Sequence, residues 1–399
     1  MKQNRQLSRS RLCLNYFNSR PSLKATALCA VLVPLSLNAY QDLHIKSDLN
    51  VHAQTHQAAP NSAQTQNAPT TANDHSAFAK GNVLTVVAVQ GPTTVFQQDG
   101  FTHGFGYDLA RSYAKSMDLR LELKTVKDDA TALNWVKQGK AEFALTTASV
   151  AAIENAHLTA VEGSCGAQPI LEKYGLDTNF SWVFKSAEDP MAATATGHLC
   201  QTKNSGTLQQ LASFYDQQYI KDSDLQKIDR DLQKRLPIYQ ASFKQSAQQH
   251  DLDWHFLAAI GYQESYLRPE SVSPTGVRGV MMLTSSTAKA MGVTDRTDAR
   301  QSIQGGAKYM QLMLDEFDDV PYPDRNWYAL VAYNMGPGAV QGIQKRLKNQ
   351  GKNPNQWVNL YNYLERNQAS NGRYRQALQY VKRIRVYTEH IKQTELARL

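Results

Sequence analysis

Cysteine and long apolar segments are scarce in this sequence, and each scarcity excludes a class of protein. The 399 residues include four cysteines, and neither a CxxC pair nor a nearby pair of histidines accompanies Cys165 and Cys200, which argues against a zinc site. The apolar run from Ala25 to Leu37 is too short to span a bilayer comfortably. No repeat of fixed period occurs. Because 42% of the residues are hydrophobic and 20% are charged, the composition is globular, and the length suits two domains.

The N-terminal segment has the composition of a secretory signal peptide. Its first 24 residues carry six lysines or arginines and no acid, and the apolar run follows them. Ala39 is the small residue at which a signal peptidase could cut, so we predict a signal peptide over residues 1–39 and export of the chain. An uncleaved N-terminal anchor is the alternative. A lipid anchor is not expected, because Cys29 lies near the start of the apolar run and not at its end.

The two cysteines that follow the signal peptide are predicted to form a disulfide. Cys165 and Cys200 are an even pair in a chain bound for an oxidising compartment. Two unrelated free thiols are the alternative.

Residues 81–222 have the pattern of an α/β module. The predicted elements are strands over 83–89, 119–123 and 142–146 and helices after Gly104 and over 130–138. The order βαβαβ implies a parallel sheet.

The rest of the chain divides into a linker, a connector and a helical domain. Residues 40–80 are poor in large apolar side chains, so this segment cannot bury enough surface to offset chain entropy and is predicted to be a disordered linker. Residues 223–250 form a polar helical connector that Pro237 is expected to interrupt. From residue 251 to 399 helical periodicity dominates, which predicts a mostly α domain.

Glu264 is the candidate catalytic acid. Asp253 is placed to cap a helix with an apolar interior, and Glu264 falls in the last turn of that helix. Burial there would raise the pKa of the carboxyl and keep it protonated for donation to a leaving oxygen. Taken alone, a helical glutamate is more often a solvated surface residue.

Four short sequence motifs, in a fixed order between Leu252 and Ile384, strengthen the case for Glu264 because together they resemble a known family. They are Glu264-Ser265, Ser-Pro-Thr-Gly from Ser273 with Gly-Val-Met from Gly279, Ala-Tyr-Asn-Met-Gly-Pro-Gly from Ala332, and Tyr380-Val381. These motifs resemble the catalytic domain of the soluble, goose-lysozyme-like lytic transglycosylases. The resemblance implies a lysozyme-like fold, no metal or organic cofactor, and cleavage of peptidoglycan between N-acetylmuramic acid and N-acetylglucosamine with formation of a 1,6-anhydro end.

The resemblance also implies roles for single residues. Glu264 would act as acid and then as base, and the hydroxyl of Tyr333 would orient Glu264 or the sugar. The positions implied to bind substrate are Ser265, Ser273, Met281, Met282, Tyr333, Asn334 and Tyr380. Turn chemistry remains the alternative for the two serines, and core packing for Met281 and Tyr333.

Two positions depart from the family pattern. Met282 stands where many relatives have Gln, and Gln376 stands where relatives often have Glu. The missing carboxylate favours the anhydro product over hydrolysis, although a second acid could still come from Glu270, Asp295 or Asp298. A hydrolytic muramidase and a catalytically weak wall-binding scaffold remain the alternative functions.

The α/β module resembles the first lobe of the amino-acid-binding periplasmic proteins, without room for a second lobe. A single lobe lacks half of a ligand cleft, so we expect a structural or partner-docking role, with recognition of a wall peptide or amino acid as the alternative. Residues 341–399 carry twelve Lys or Arg against three Glu. In an exported protein this charge favours wall polymer and lipid headgroups over nucleic acid. From the predicted signal peptide we expect a periplasmic protein, and we expect it to be peripheral to the outer membrane.

Overall fold

The computed structural model describes residues 82–98 and 101–396. The predicted signal peptide and the predicted linker lie outside these residues. Every helix in the described part of the chain is too short or too polar to cross a membrane.

The first half of the described chain alternates strands with helices. The strands are β1 (Val83–Val89), β2 (Phe96–Gln98), β3 (Phe101–His103), β4 (Arg120–Val126), β5 (Phe143–Thr146), β6 (Thr159–Glu162) and β7 (Ser181–Phe184). The helices are α1 (Phe105–Ser116), α2 (Asp129–Lys137), α3 (Val150–Asn155), α4 (Gln168–Lys173), α5 (Pro190–Asn204) and α6 (Thr207–Phe214).

Five of these strands form one mixed sheet in the order β4-β1-β5-β7-β6. Strand β1 pairs in parallel with β4 and β5, so that Val86 lies opposite Leu123 and Phe143. Strand β7 is antiparallel to both β5 and β6. The parallel pairing of the three predicted strands is therefore confirmed, and the two antiparallel strands β6 and β7 were not predicted.

A disulfide joins Cys165, before α4, to Cys200 in α5. Their Cα atoms lie 5.2 Å apart, and the carbonyl oxygen of Cys165 also accepts a 2.9 Å hydrogen bond from Lys203. The bridge and this bond together attach the segment between β6 and α4 to helix α5.

Removing the disulfide should destabilise the α/β module. The bond closes a loop of 35 residues, and the chain-entropy estimate for that length is about 3 to 4 kcal/mol. We expect replacement of both cysteines by serine to lower the free energy of unfolding by this amount, measured by denaturant titration of the full chain. Equal unfolding free energies for the two proteins would contradict the expectation.

The second half of the described chain is mostly helical, and residues 266–284 form its longest loop. Its helices are α7 (Asp222–Gln249), α8 (Trp254–Ser265), α9 (Ser285–Met291), α10 (Ala299–Asp315), α11 (Asp324–Met335), α12 (Pro337–Asn349), α13 (Trp357–Asn367) and α14 (Gly372–Leu396). The predicted fold class, an α/β lobe followed by a mostly helical domain, is confirmed.

Helix α7 runs without a break through Pro237, so the predicted interruption is wrong. Proline leaves the carbonyl of Gln233, four residues earlier, without its helical hydrogen bond. Both residues are exposed, so water can solvate that carbonyl. Because α7 packs on α8 and α10, burial of its other face outweighs the local cost.

Helix α8 lies at the centre of the helical domain. Ten of its twelve residues are buried, because apolar and small side chains occur on every side of it. It packs against α7 and α14, and α11 packs against α14 in turn. The core of the domain therefore surrounds the C-terminal end of α8.

Candidate active site

Glu264 lies in the last turn of α8, as the sequence predicted. Asp253 caps the helix by accepting a 2.8 Å hydrogen bond from the backbone N–H of His255. The helix ends at Tyr266, whose φ of 55° lies in the left-handed region and turns the chain away. Only 8% of Glu264 is exposed, so the acid lies at the buried end of a core helix.

Tyr380 of α14 is the hydrogen-bond partner of Glu264. Its hydroxyl donates to Glu264 Oε1 over 2.6 Å. Burial raises the pKa of Glu264 to about 8, although the bond from Tyr380 acts in the opposite direction. Glu264 is therefore protonated at neutral pH and can donate a proton. The sequence had suggested that Tyr333 orients either Glu264 or the sugar, and in the structure the hydrogen bond to Glu264 comes from Tyr380.

Three tyrosines from three helices pack beside the acid. The ring of Tyr333 on α11 stacks on the ring of Tyr380, and their centroids lie 6.4 Å apart. The ring centroid of Tyr309 on α10 lies 5.0 Å from that of Tyr333. The hydroxyl of Tyr333 donates to the carbonyl of Met281 over 3.3 Å. Burial raises the pKa of Tyr333 and of Tyr380 well above 10, so both hydroxyls remain hydrogen-bond donors.

Ser265 and Ser273 shape the loop that follows α8. The hydroxyl of Ser265 donates to the carbonyl of Val280 over 2.8 Å and so ties the helix end to that loop. Ser273 Oγ accepts the backbone N–H of Val277 over 3.0 Å, which closes a tight turn. Both serines are buried, and both make the local turn contacts that the sequence left open as the alternative to sugar binding.

The two methionines of this loop lie in different environments. Met281 is 0% exposed and packs on Gly306 of α10, where an added Cβ would lie 2.6 Å from its Cγ. Its backbone N–H donates to Ser302 Oγ over 3.1 Å. The packing of Met281 is therefore that of a core residue. Met282 is 7% exposed and has a φ of 47°, a conformation that costs energy for a residue with a side chain.

Asn334 carries a buried polar atom without a partner. It follows Tyr333 on α11, and its Nδ2 makes no hydrogen bond within the described chain. Leaving a buried donor unsatisfied costs about 1 to 3 kcal/mol, which suits a group that binds a ligand.

The candidate second acids are engaged elsewhere or exposed. Asp295 accepts the backbone N–H of Thr297 over 2.8 Å, and Asp298 caps α10. Glu270 is exposed. None of these three carboxylates contributes to the pKa shift of Glu264. Within residues 82–98 and 101–396, no group of three or more His, Cys, Asp or Glu side chains is arranged to bind a metal ion.

Sequence reasoning missed the contribution of α10 to the site. Tyr309, Ser302 and Gly306 all contact the residues around Glu264, whereas the sequence predicted only that this part of the chain is helical. The adjacent glycines Gly305 and Gly306 were the available signal. Glycine disfavours a helix interior, so a pair of glycines there indicates a close approach by another segment.

Replacing Glu264 by Gln should stabilise the fold near neutral pH. The pKa of Glu264 rises from 4.5 to about 8 on folding, so stability falls as pH rises through that window, because the unfolded chain releases the proton that the folded protein retains. Glutamine cannot ionise and can still accept from Tyr380. We expect a gain in unfolding free energy on the order of 3 kcal/mol at pH 7 and almost none at pH 4. Denaturant titrations at both pH values measure it, and an equal gain at both would contradict the assigned burial.

Comparison with known proteins identifies the class of this domain. The family model of the transglycosylase SLT domain matches residues 241–356. Residues 241–356 of the chain are therefore similar to the SLT domain of transglycosylases. Glu264, Tyr333 and Asn334 lie inside the matched range, and Tyr380 lies beyond it.

The similar curated proteins are named membrane-bound lytic murein transglycosylase F. That of Pseudomonas savastanoi pv. phaseolicola is 44% identical over 189 residues, which are 46% of this chain and 38% of the relative. That of Pseudomonas fluorescens strain Pf0-1 is 34% identical over 271 residues, 67% of this chain and 54% of the relative. The chain thus spans about two fifths to half of the length of these relatives. Among solved structures, the 70 kDa soluble lytic transglycosylase of Escherichia coli matches 52% of this chain and 33% of its own, at 22% identity and a TM-score of 0.34.

Proposed function

We propose that this chain is a lytic transglycosylase. It cleaves the β-1,4 bond between N-acetylmuramic acid and N-acetylglucosamine in peptidoglycan and leaves 1,6-anhydromuramic acid ends. The observation that carries the proposal is the geometry of Glu264, whose buried carboxyl accepts a 2.6 Å hydrogen bond from Tyr380. Burial raises the pKa of Glu264 to about 8, which keeps a proton available near neutral pH. The match to the transglycosylase SLT domain over residues 241–356, a range that includes Glu264, supports the proposal.

One carboxyl can serve both steps of this reaction. Glu264 gives its proton to the glycosidic oxygen as the bond from that oxygen to the anomeric carbon breaks. The C6 hydroxyl oxygen of the muramic residue then bonds to the anomeric carbon, and its proton returns to Glu264. The N-acetyl group can stabilise the positive charge between the two steps. No water is consumed, so the second carboxylate of the usual glycosidase scheme is not required.

The neighbouring residues support Glu264 in different ways. Tyr380 donates to the carboxylate that forms after proton transfer, which stabilises that charge. Asn334 offers its unpartnered Nδ2 to the sugar. Met282 and Ser273 lie in the loop between α8 and α9. We assign Ser265 to the loop itself. A direct sugar contact by Met281 would require its buried side chain to move.

The rival functions differ in their products. Digestion of purified sacculi followed by borohydride reduction separates them, because an anhydro end has no aldehyde to reduce. We expect released muropeptides that gain no hydrogen. Fragments that each gain two hydrogens would establish a muramidase instead. Binding to sacculi without any release would establish a wall-binding scaffold.

We further propose that the protein is exported to the periplasm and lies peripheral to the outer membrane. The relatives are named as membrane-bound, and a disulfide suits an oxidising compartment. On this proposal residues 251–399 form the catalytic domain, and the single α/β lobe docks a protein associated with the wall or the membrane. Fractionation of cells that express the full chain tests the location, and recovery in the cytoplasm would contradict it.

A further inference from the structure

Helix α14 presents two faces to two parts of the molecule. One face packs on α8 and carries Tyr380. The other carries four ionisable side chains at spacings of three or four residues, which place them along one side of the helix. Each of the four contacts the α/β module: Lys382 at Tyr219, Arg385 at Asp216, Glu389 at His103 and Lys392 at Phe101.

Glu389 is the centre of this second face. Its Oε1 lies 3.0 Å from Nε2 of His103 in β3, and its Oε2 accepts a 2.7 Å hydrogen bond from Arg385. Arg385 also donates to the backbone carbonyl of Asp216 over 2.9 Å. All three side chains of the His103–Glu389–Arg385 chain are buried. Desolvation offsets much of what such a group adds to stability, but removing one partner would leave a buried charge unpaired.

The charge states of this group follow from burial and pairing. Burial acts to raise the pKa of Glu389, but Arg385 and His103 outweigh it, and the pKa is lowered. Burial lowers the pKa of His103. At neutral pH the contact therefore joins an ionised carboxylate to a neutral imidazole and a guanidinium.

Two polar side-chain contacts join α14 to α8, one near each end of α8, in addition to the packed rings of Tyr262 and Tyr387. At the start of α8, the ammonium of Lys392 forms an ion pair with Asp253, the residue that caps the helix. At its end, Tyr380 bonds to Glu264. The contacts are eleven residues apart on α8 and twelve on α14, which correspond to about 17 and 18 Å of helix. The two antiparallel helices are therefore in register at both contacts.

We infer that Lys392, Glu389 and His103 are positioning residues. They fix α14 along its axis and so place the hydroxyl of Tyr380 on Glu264. The α/β module then has a role within the enzyme itself, as the surface against which α14 is fixed.

The physical basis is the short range of a hydrogen bond. The 2.6 Å contact between Tyr380 and Glu264 would be lost if α14 moved along its axis by about 1 Å. Lys392 lies more than three turns from Tyr380, but a helix packed in a close-packed interior moves as a unit. Releasing the far end therefore affects the bond at the near end.

A double-mutant cycle tests the inference. Lys392→Met removes the charge and keeps the length of the side chain, and we expect it to lower the rate of muropeptide release roughly tenfold. In a Tyr380→Phe background the same change should have almost no further effect, because the bond it disturbs is already absent. Lys392→Arg should recover much of the rate. Arg375→Met, a charge loss at an exposed position of α14, is the matched control and should stay within about twofold of wild type.

A titration without turnover separates this inference from the proposed function, on which its rate measurement rests. The bond from Tyr380 lowers the pKa of Glu264, so weakening it in Lys392→Met should move that pKa above the value of about 8. Carboxyl carbon NMR of the full chain, with Glu264→Gln to assign the signal, reads this shift whatever products the enzyme forms.

Two results would overturn the inference. One is a rate loss from Lys392→Met that is the same with and without the Tyr380 hydroxyl, which is the pattern of a purely structural defect. The other is an unchanged pKa of Glu264. If Lys392→Met does not fold, Glu389→Gln provides the same two measurements at the module contact, since it removes the charge and keeps the shape.

Discussion

Glu264→Gln should lower the rate of muropeptide release by roughly a thousandfold or more. The variant keeps the size of the side chain and its hydrogen bond from Tyr380 but has no proton to donate. General acid catalysis contributes about 10² to 10⁴ in rate, and here the same group also serves as the base. Turbidity loss of a sacculus suspension, with chromatography of the soluble products, measures the effect.

Glu270→Gln is the matched control for this prediction. Glu270 is an exposed acid six residues further along the chain, so its replacement should leave the rate within about twofold of wild type. The stability increase expected for Glu264→Gln at pH 7 makes unfolding an inadequate explanation for lost activity. A variant that retained a tenth of the wild-type rate would contradict the role assigned to Glu264.

Tyr380→Phe should have the second-largest effect, a loss of about ten- to a hundredfold with a shift in pH dependence. The hydroxyl stabilises the carboxylate that Glu264 becomes after giving up its proton, so the step that forms this charge is slowed. The acid must be protonated, and activity should therefore fall as pH rises through about 8 in the wild type. Without the hydroxyl the pKa of Glu264 is higher, so the alkaline limb of the pH–rate profile, where activity falls, moves to higher pH.

Tyr333→Phe distinguishes the bond from the aromatic stack. It removes the hydroxyl that donates to Met281 and leaves the bond between Tyr380 and Glu264 intact. In Tyr333→Phe the fall in activity at alkaline pH should therefore occur at the same pH as in wild type, whatever the change in rate. A downward shift of the limb in Tyr380→Phe would show that the hydroxyl does not stabilise the ionised acid.

Local signals predicted the parts of the fold that depend on near neighbours in the chain. The apolar run of β1 predicted a buried strand, and Asp253 before an apolar helix predicted both the cap and the position of Glu264 at its end. The paired strands β6 and β7 were missed, and Pro237 was expected to break a helix that continues through it. In these cases burial against distant elements decides the structure, and local propensity is overridden.

The partners of the site residues were harder to predict than the residues themselves. Tyr380 and Glu264 were both identified, but their hydrogen bond joins residues 116 positions apart. The contact between His103 and Glu389 spans 286 positions and left no trace in either local pattern. The type of a side chain indicates which groups can react, whereas tertiary packing determines which of those groups are in contact.

The fate of solvent oxygen tests the central claim most directly. Sacculi digested in water enriched in oxygen-18 should yield muropeptides without the label at the new muramic ends, and these should be one water lighter than hydrolysis products. This is the result expected if the C6 hydroxyl of the substrate is the nucleophile and Glu264 acts alone. Muropeptides that carry one oxygen-18 at each new end would contradict it and would require a second group that activates water.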